Sequence, residues 1–341
     1  MRLEGKWIDM FEHVFRLCGV AAGDSCAVLS ETQTRPELPH LSELALARIG
    51  ARPFHLMLPG KRLTAPVPIR STGASDAIGG IEPVVQALAA SVFIADCTVE
   101  GLQHAAELPR ILKGGARVLA ISHEHPEILE RCLPQQADEA VVRDAMRRLK
   151  AARQMHVASA AGTDLRIKLA GARIGGVWGF TSKPGTLSHW PGGLVLAFPA
   201  AGTVDGTLVL DRGDVNLTFK RYLQDPVRLI IENDYATQVL GDNVDAELMR
   251  GYLAAWNDAL AYAVSHVGWG LNRSARWDAM TFYDKGDFNG TELRAFAGNF
   301  LYSTGANEGA GRHTLGHFDL PLRACTITLD GAVVVDQGRL V

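Results

Sequence analysis

Cysteine is scarce and scattered. The five in this 341-residue chain (Cys18, Cys26, Cys97, Cys132, Cys325) form no CxxC pair, which argues against a zinc knuckle or a disulfide scaffold and reads as reduced thiols in a cytoplasmic protein. Neither sign of charge dominates: 34 Lys+Arg against 37 Asp+Glu leave a net charge of -3. A broad nucleic-acid-binding face is therefore not expected, although a small basic pocket is compatible with that balance. Uninterrupted apolar runs stay well short of the roughly 18 residues that a membrane span requires. The opening MRLEGKWIDM is charged throughout and lacks the apolar core of a signal peptide. Several phosphate and hydrolase signatures are missing as well. No GxGxxG follows a strand in the first half, and GxxxxGK[ST], HExxH and GxSxG do not occur. The usual nucleotide cradles, the zincin helix and the nucleophile elbow are thereby set aside.

What is present divides into two halves. Between about residues 24 and 150, short apolar runs (Cys26–Leu29, Phe54–Met57, Val92–Ala95, Val118–Ile121) alternate with helically spaced segments (Leu41–Ile49, Pro83–Ala90, Ala105–Leu112). That alternation predicts a parallel sheet covered by helices on both faces. A helical stretch follows from Pro126 to Arg153, with a break expected near Pro134. Glycine then becomes denser, with 11 in the first 150 residues and 24 in the remaining 191. Strand-like runs at Thr207–Leu210, Val227–Glu232, Thr326–Leu329 and Ala332–Val335 predict antiparallel pairing, interrupted by one helix over Ala246–Val264. The fold class expected is α/β plus α+β: a Rossmann-like α/β domain over 1–153, then a Gly-rich, largely antiparallel β domain with helices over 154–341, carrying the metal site.

The strongest local chemical signal is Gly316-His317-Phe318-Asp319-Leu320-Pro321. In a strand, His317 and Asp319 project together while Phe318 packs behind. An imidazole and a carboxylate so placed supply two of the three ligands of a metal site. His266, in SHVGWGLN, is favoured as the third, because the glycines flanking Trp269 let the backbone approach a ligand closely. His123 and His125, in SHEHPE, read as capping or solvent-exposed groups. His104 follows the third strand, where α/β sheets bind ligands, and His189 sits in the Gly/Pro turn SHWPGG. Two imidazoles and one carboxylate suit non-haem Fe(II) with positions left open, and they equally suit a zinc hydrolase that activates water.

The blocks SHWPGG, DGTLVLDRGD, SHVGWGLN, RAFAGNFLYSTGAN and GHFDLPLRAC together resemble the 2,5-dihydroxypyridine 5,6-dioxygenase family, with the likeness extending to MFEHV and ILKGGARVLA. The resemblance implies a mononuclear Fe(II) site of His266, His317 and Asp319, with O2 as co-substrate and no organic cofactor. It implies an oxidoreductase of nicotinate-type catabolism that inserts O2 between ring carbons five and six to give N-formylmaleamate. His104 and His189 correspond to catalytic positions, and Ser303, Arg294 and Trp190 to substrate-binding ones. Partners are then a small aromatic N-heterocycle and further copies of the chain in a homo-oligomer, with no nucleic acid and no membrane. The same blocks are similar to aminopeptidase T-like metallopeptidases, which hold paired metal ions. Leu194, Leu301 and His266 stand here where those enzymes carry other donors, a pattern that favours one ion over two. A metal-dependent aminopeptidase or amidohydrolase, or a dioxygenase for a related hydroxypyridine, is the alternative reading.

Overall fold

The structure is a computed structural model that describes residues 2–60, 76–287 and 289–341. In the first half the alternation appears as α1 (Gly5–Leu17), β1 (Ser25–Glu31), α2 (Glu37–Ile49), β2 (Arg52–Leu58), α3 (Glu82–Ala89), β3 (Phe93–Asp96), α4 (Leu108–Lys113), β4 (Arg117–Ala120), α5 (Pro126–Arg131) and α6 (Asp138–Ala151). The break expected near Pro134 falls between α5 and α6. Strands β3 and β4 are buried along their whole length, as central parallel strands covered on both faces must be. One face packs on α1 and α2 through Phe11, Phe15, Leu38, Leu41 and Phe93. The other packs on α3 and α4 through Val85, Leu88, Ile111 and Ile94. Helix α4 begins three residues later than its apolar spacing predicts. Two successive turns intervene, with Ala105 N–H bonding Leu102 O and Leu108 N–H bonding Ala105 O.

The second half contributes β5 (Gln154–Ala158), β6 (Asp164–Lys168), β7 (Arg173–Val177), β8 (Leu187–His189), β9 (Leu194–Phe198), β10 (Val204–Leu210), β11 (Val215–Asn216), β12 (Arg221–Tyr222), β13 (Val227–Glu232) and β14 (Tyr235–Leu240). Helix α7 (Val244–Ala255) precedes β15 (Val264–Gly270); α8 (Thr291–Ala295), β16 (Phe300–Asn307), β17 (Arg312–Leu322), β18 (Thr326–Leu329), β19 (Ala332–Asp336) and β20 (Arg339–Leu340) complete the chain. An antiparallel sheet of order β14-β13-β10-β6-β5-β18-β19-β20 faces another of order β17-β16-β15-β9-β7. The core between them includes Leu165, Leu208, Leu229, Val267, Trp269, Tyr302 and Phe318. Strand β8 leaves its own half and pairs in parallel with β4, so the first sheet has the order β2-β1-β3-β4-β8.

The helix expected over Ala246–Val264 is corrected. It ends at Ala255; Asn257 adopts φ 49°, and Asp258 caps a short 3-10 turn by accepting from Leu260 N–H. Of the apolar run beyond, Ala259–Tyr262 forms this turn and Val264 opens the fully buried central strand β15. A continuous apolar run carries no period to distinguish these two outcomes.

Candidate metal centre

The five-stranded sheet has two chemically distinct faces. Val195, Ala197, Val267, Trp269, Tyr302, Phe318 and Leu320 point into the core. The intervening positions Leu194, Leu196, His266, Leu301, His317 and Asp319 line a recess on the other side. Cross-strand register fixes this grouping, with His266 opposite Ser303, and Ser303 opposite Asp319. His317 and Asp319 thus project together with Phe318 behind them, as the HxD spacing predicts.

His266 reaches the recess through a local irregularity. Val264 packs in the core, and a residue two places on would ordinarily face the same way. The β15–β16 register shifts between Val264 and His266, a bulge at Ser265 that turns the imidazole to the opposite face.

The donor atoms converge. Nitrogens of His104, His266 and His317 lie within 4.8 Å of one another. Asp319 Oδ1 stands 3.2 Å from His317 Nε2 and 3.7 Å from His266 Nε2. The imidazoles of His266 and His317 are stacked at 5.4 Å, and His104 lies 4.7 Å from His317. Neighbouring groups orient these side chains. Ser265 Oγ lies 2.5 Å from Ala306 O, which can only accept, so the hydroxyl hydrogen points there and His266 Nδ1–H donates to Ser265 Oγ at 3.0 Å. His266 Nε2 is left with its lone pair toward Asp319 and His317. Arg294 Nε donates to Asp319 Oδ2 at 2.5 Å, and Ser303 Oγ donates to Asp319 Oδ1.

Electrostatics favour metal binding. Burial pushes the His266 imidazole down to about 3, outweighing the attraction of Asp319. Burial also holds His104 well below the usual histidine range, aided by His317 and His266. For Asp319 burial works toward the neutral acid, but His317 and Arg294 together override it and keep the carboxyl well below its ordinary value. A neutral imidazole at His266 and an ionised carboxylate at Asp319 are protonation states a divalent cation needs. His317 Nδ1 is buried and without a hydrogen-bond partner.

Loops at the carboxyl ends of the parallel strands cap this sheet face. The segment after β3 brings Glu100, Gln103 and His104, the end of β4 brings Ala120 and Ser122, and β8 ends on His189. The loop after β3 is fixed by Asp96, whose Oδ1 accepts from Thr98 N–H and Oδ2 from Leu102 N–H. Ser122 and His123 adopt φ 42° and 55°, sparsely populated for non-glycine residues and concentrated at functional sites. His189 Nδ1–H donates to Pro191 O at 3.1 Å, so Nε2 carries the lone pair, and burial keeps the ring's pKa below its ordinary value.

The structure therefore gathers His104, His189, His266, Arg294, His317 and Asp319 around one recess. Ser303 is fully buried, with its hydroxyl committed to Asp319. Trp190 stands apart: its indole packs 5.2 Å from Phe11 in the core of the first half and donates to Cys132 O. His125 caps α5 by accepting from Glu127 N–H. His123, expected to cap or to face solvent, is buried, accepting from Arg35 N–H at Nδ1 and lying 3.1 Å from Gly286 O at Nε2. Sequence reasoning missed Gln103, Ser122, Leu196, Asn289 and Thr291 in the lining. None belongs to a spacing motif; only the strand-end position of Ser122 could have flagged it.

Comparison with known proteins gives a consistent result. A family model described as 2,5-dihydroxypyridine 5,6-dioxygenase matches residues 6–341. The 2,5-dihydroxypyridine 5,6-dioxygenase of Pseudomonas putida is 37% identical over 337 residues, spanning 98% of this chain and 95% of that protein. A solved structure of the 2,5-dihydroxypyridine dioxygenase from Pseudomonas putida KT2440 superposes with a TM-score of 0.94 at 36% identity, covering 100% of this chain and 98% of that one. Wild-type AmpT from Thermus thermophilus shares the fold, at a TM-score of 0.64 and 16% identity over 98% of each chain.

Proposed function

The chain belongs to the 2,5-dihydroxypyridine 5,6-dioxygenase family, and from that premise we propose that it cleaves the ring of 2,5-dihydroxypyridine with O2, using one ferrous ion held by His266, His317 and Asp319. The observation that carries this reading is the convergence of two imidazoles, His266 and His317, and one ionised carboxylate on a single sheet face. Such a facial set suits non-haem iron. Leu194, Leu196 and Leu301 occupy adjacent lining positions. A second, bridged cation would need oxygen or nitrogen donors there, so the lining supports a mononuclear site over a paired hydrolytic one.

When bound, a ferrous ion held by His266, His317 and Asp319 would supply a redox-active centre through which an electron-rich ring can pass electrons to dioxygen. The chain's own residues prepare the ring and the ligands. His104 and His189 are both neutral and recessed, and each can accept a proton from a ring hydroxyl. Its fixed tautomer makes His189 an acceptor at Nε2. Arg294 keeps Asp319 Oδ2 occupied and so turns Oδ1 toward the histidines; its Nη1 is anchored on Asn289 Oδ1. The same guanidinium lines the recess and offsets negative charge on a deprotonated ring. Both atoms of O2 enter the product: the bond between ring carbons five and six breaks, carbon five becomes the carboxylate and carbon six the formyl group of N-formylmaleamate.

The test is anaerobic loading with Fe(II), addition of 2,5-dihydroxypyridine, then admission of oxygen. One O2 should disappear per ring as the ring absorbance is lost. No oxygen uptake, together with Zn(II)-dependent release of an amino acid from a peptide, would overturn the assignment.

A further inference from the structure

Leu196 and Leu301 meet the recess from strands β9 and β16, each directly opposite Gly268 of the central strand β15. Gly268 has no room for a side chain: a Cβ there would lie 1.9 Å from Val195 O and 3.0 Å from Leu196 Cδ2. The three residues form one row across the sheet, a bare backbone strip with an isobutyl group on either side. Leu194 extends the row's apolar surface, and Val177 and Phe198 pack against it as one cluster. The row adjoins the metal-binding positions, since His266 precedes Gly268 by two residues and Ser303, on the Asp319 carboxylate, follows Leu301 by two. Polar groups enter the same recess from other elements: Ser122, Asn289, Thr291 and Arg294. The recess is small, with a cavity volume of about 50 Å³, so a ring bound there lies against the leucine wall.

Building on the dioxygenase reading, we propose that Leu196 and Leu301 are specificity-determining residues: they seat the unsubstituted carbon edge of the ring over Gly268 and reject hydroxypyridines bearing an ionised or bulky substituent on that edge. Burying a carboxylate against leucine side chains without a counter-charge is strongly unfavourable. One extra methyl group against a filled apolar wall changes discrimination by about 10- to 200-fold.

The experiment measures calorimetric binding of three rings to the Fe(II)-loaded protein without oxygen: 2,5-dihydroxypyridine, a ring-carbon-methylated derivative and a ring-carbon-carboxylated one. O2 uptake is recorded separately. Wild type should bind the methylated ring about tenfold or more weakly than the parent, and the carboxylated ring ~100-fold or more weakly. Leu301→Ala and Leu196→Ala, each checked for unchanged melting and metal content, should restore the methylated ring to within about threefold of the parent and leave the carboxylated ring excluded. A variant that fails to fold is replaced by the corresponding Leu→Val, which should show the same trend at smaller amplitude. The proposal is overturned if the variants weaken parent and methylated rings equally, or if wild type binds the carboxylated ring as tightly as the parent. Discrimination as expected without oxygen uptake would refute the reaction and keep the wall. Failure to bind any of the rings would refute both.

Discussion

Ser265→Ala tests how the bulge prepares His266 for the metal-ligand role proposed above. Ser265 is fully buried at the register shift, and its hydroxyl links His266 Nδ1–H to Ala306 O. Removing it takes away the acceptor that holds the proton on Nδ1, so the tautomer with Nε2 free is no longer enforced. Loss of such a supporting partner typically lowers metal affinity 10- to 100-fold, or about 1.4–2.7 kcal/mol. A separate stability cost arises because Ala306 O loses its hydroxyl donor, ~1–3 kcal/mol for a buried group left unpaired. The two effects are measured apart. Competition against a chromogenic chelator, with Fe(II) under argon and Zn(II) as a redox-silent probe, reads affinity. Denaturant unfolding of the metal-free protein reads stability. His266→Ala, as a reference, should abolish stoichiometric binding. If Ser265→Ala unfolds more easily yet binds both metals as tightly as wild type, the tautomer reasoning is wrong and Ser265 is only a packing residue.

Three further outcomes are expected. Burial raises the Asp96 carboxyl from 3.8 to about 6, so its contribution favours the fold fully below pH 3.8 and fades as pH rises through 6. By linkage this is about 3 kcal/mol across the window; the difference in unfolding free energy between wild type and Asp96→Asn, followed from pH 3.5 to 7, should carry that slope, and a pH-independent difference would contradict it. Arg131 makes a two-pronged bond to Glu292, which is 0% exposed. Arg131→Met strands that carboxylate and should cost ~3–5 kcal/mol in a denaturant titration, whereas a loss below 1 kcal/mol would show the pair to be dispensable. Gly268→Ala forces a Cβ to 1.9 Å from Val195 O and should lower stability by more than ~2 kcal/mol, with hydrogen exchange accelerated in β9 and β15; normal protection there would mean that the strip can yield.

Much of this architecture was legible from periodicity. The alternation of the first half specifies a covered parallel sheet, and the HxD spacing alone puts His317 and Asp319 on one face. The glycines around His266 single it out, but its route to the site is hidden: the bulge at Ser265 has no sequence period, and the apolar spacing before it suggests a longer helix than Asn257 and Asp258 allow. Trp190 shows the opposite failure. Its neighbour His189 faces the recess, and in a strand the next residue must face away, here into the core with Phe11. The polar lining from Asn289 and Thr291 depends on contacts between distant segments, such as Asn289 Nδ2–H to Val99 O and Thr291 N–H to Glu124, that no local pattern encodes.

The pairing of β8 with β4 constrains how the molecule can be assembled. Until residues 187–189 have been synthesised, the outer edge of β4 exposes unsatisfied amides and carbonyls, a template for another nascent chain. A fragment ending before β8 would keep that sticky border permanently. Because β8 also delivers His189, the stretch that seals the border brings a recess-lining imidazole with it, so completion of the first sheet and furnishing of the recess become a single event in the maturation of the chain.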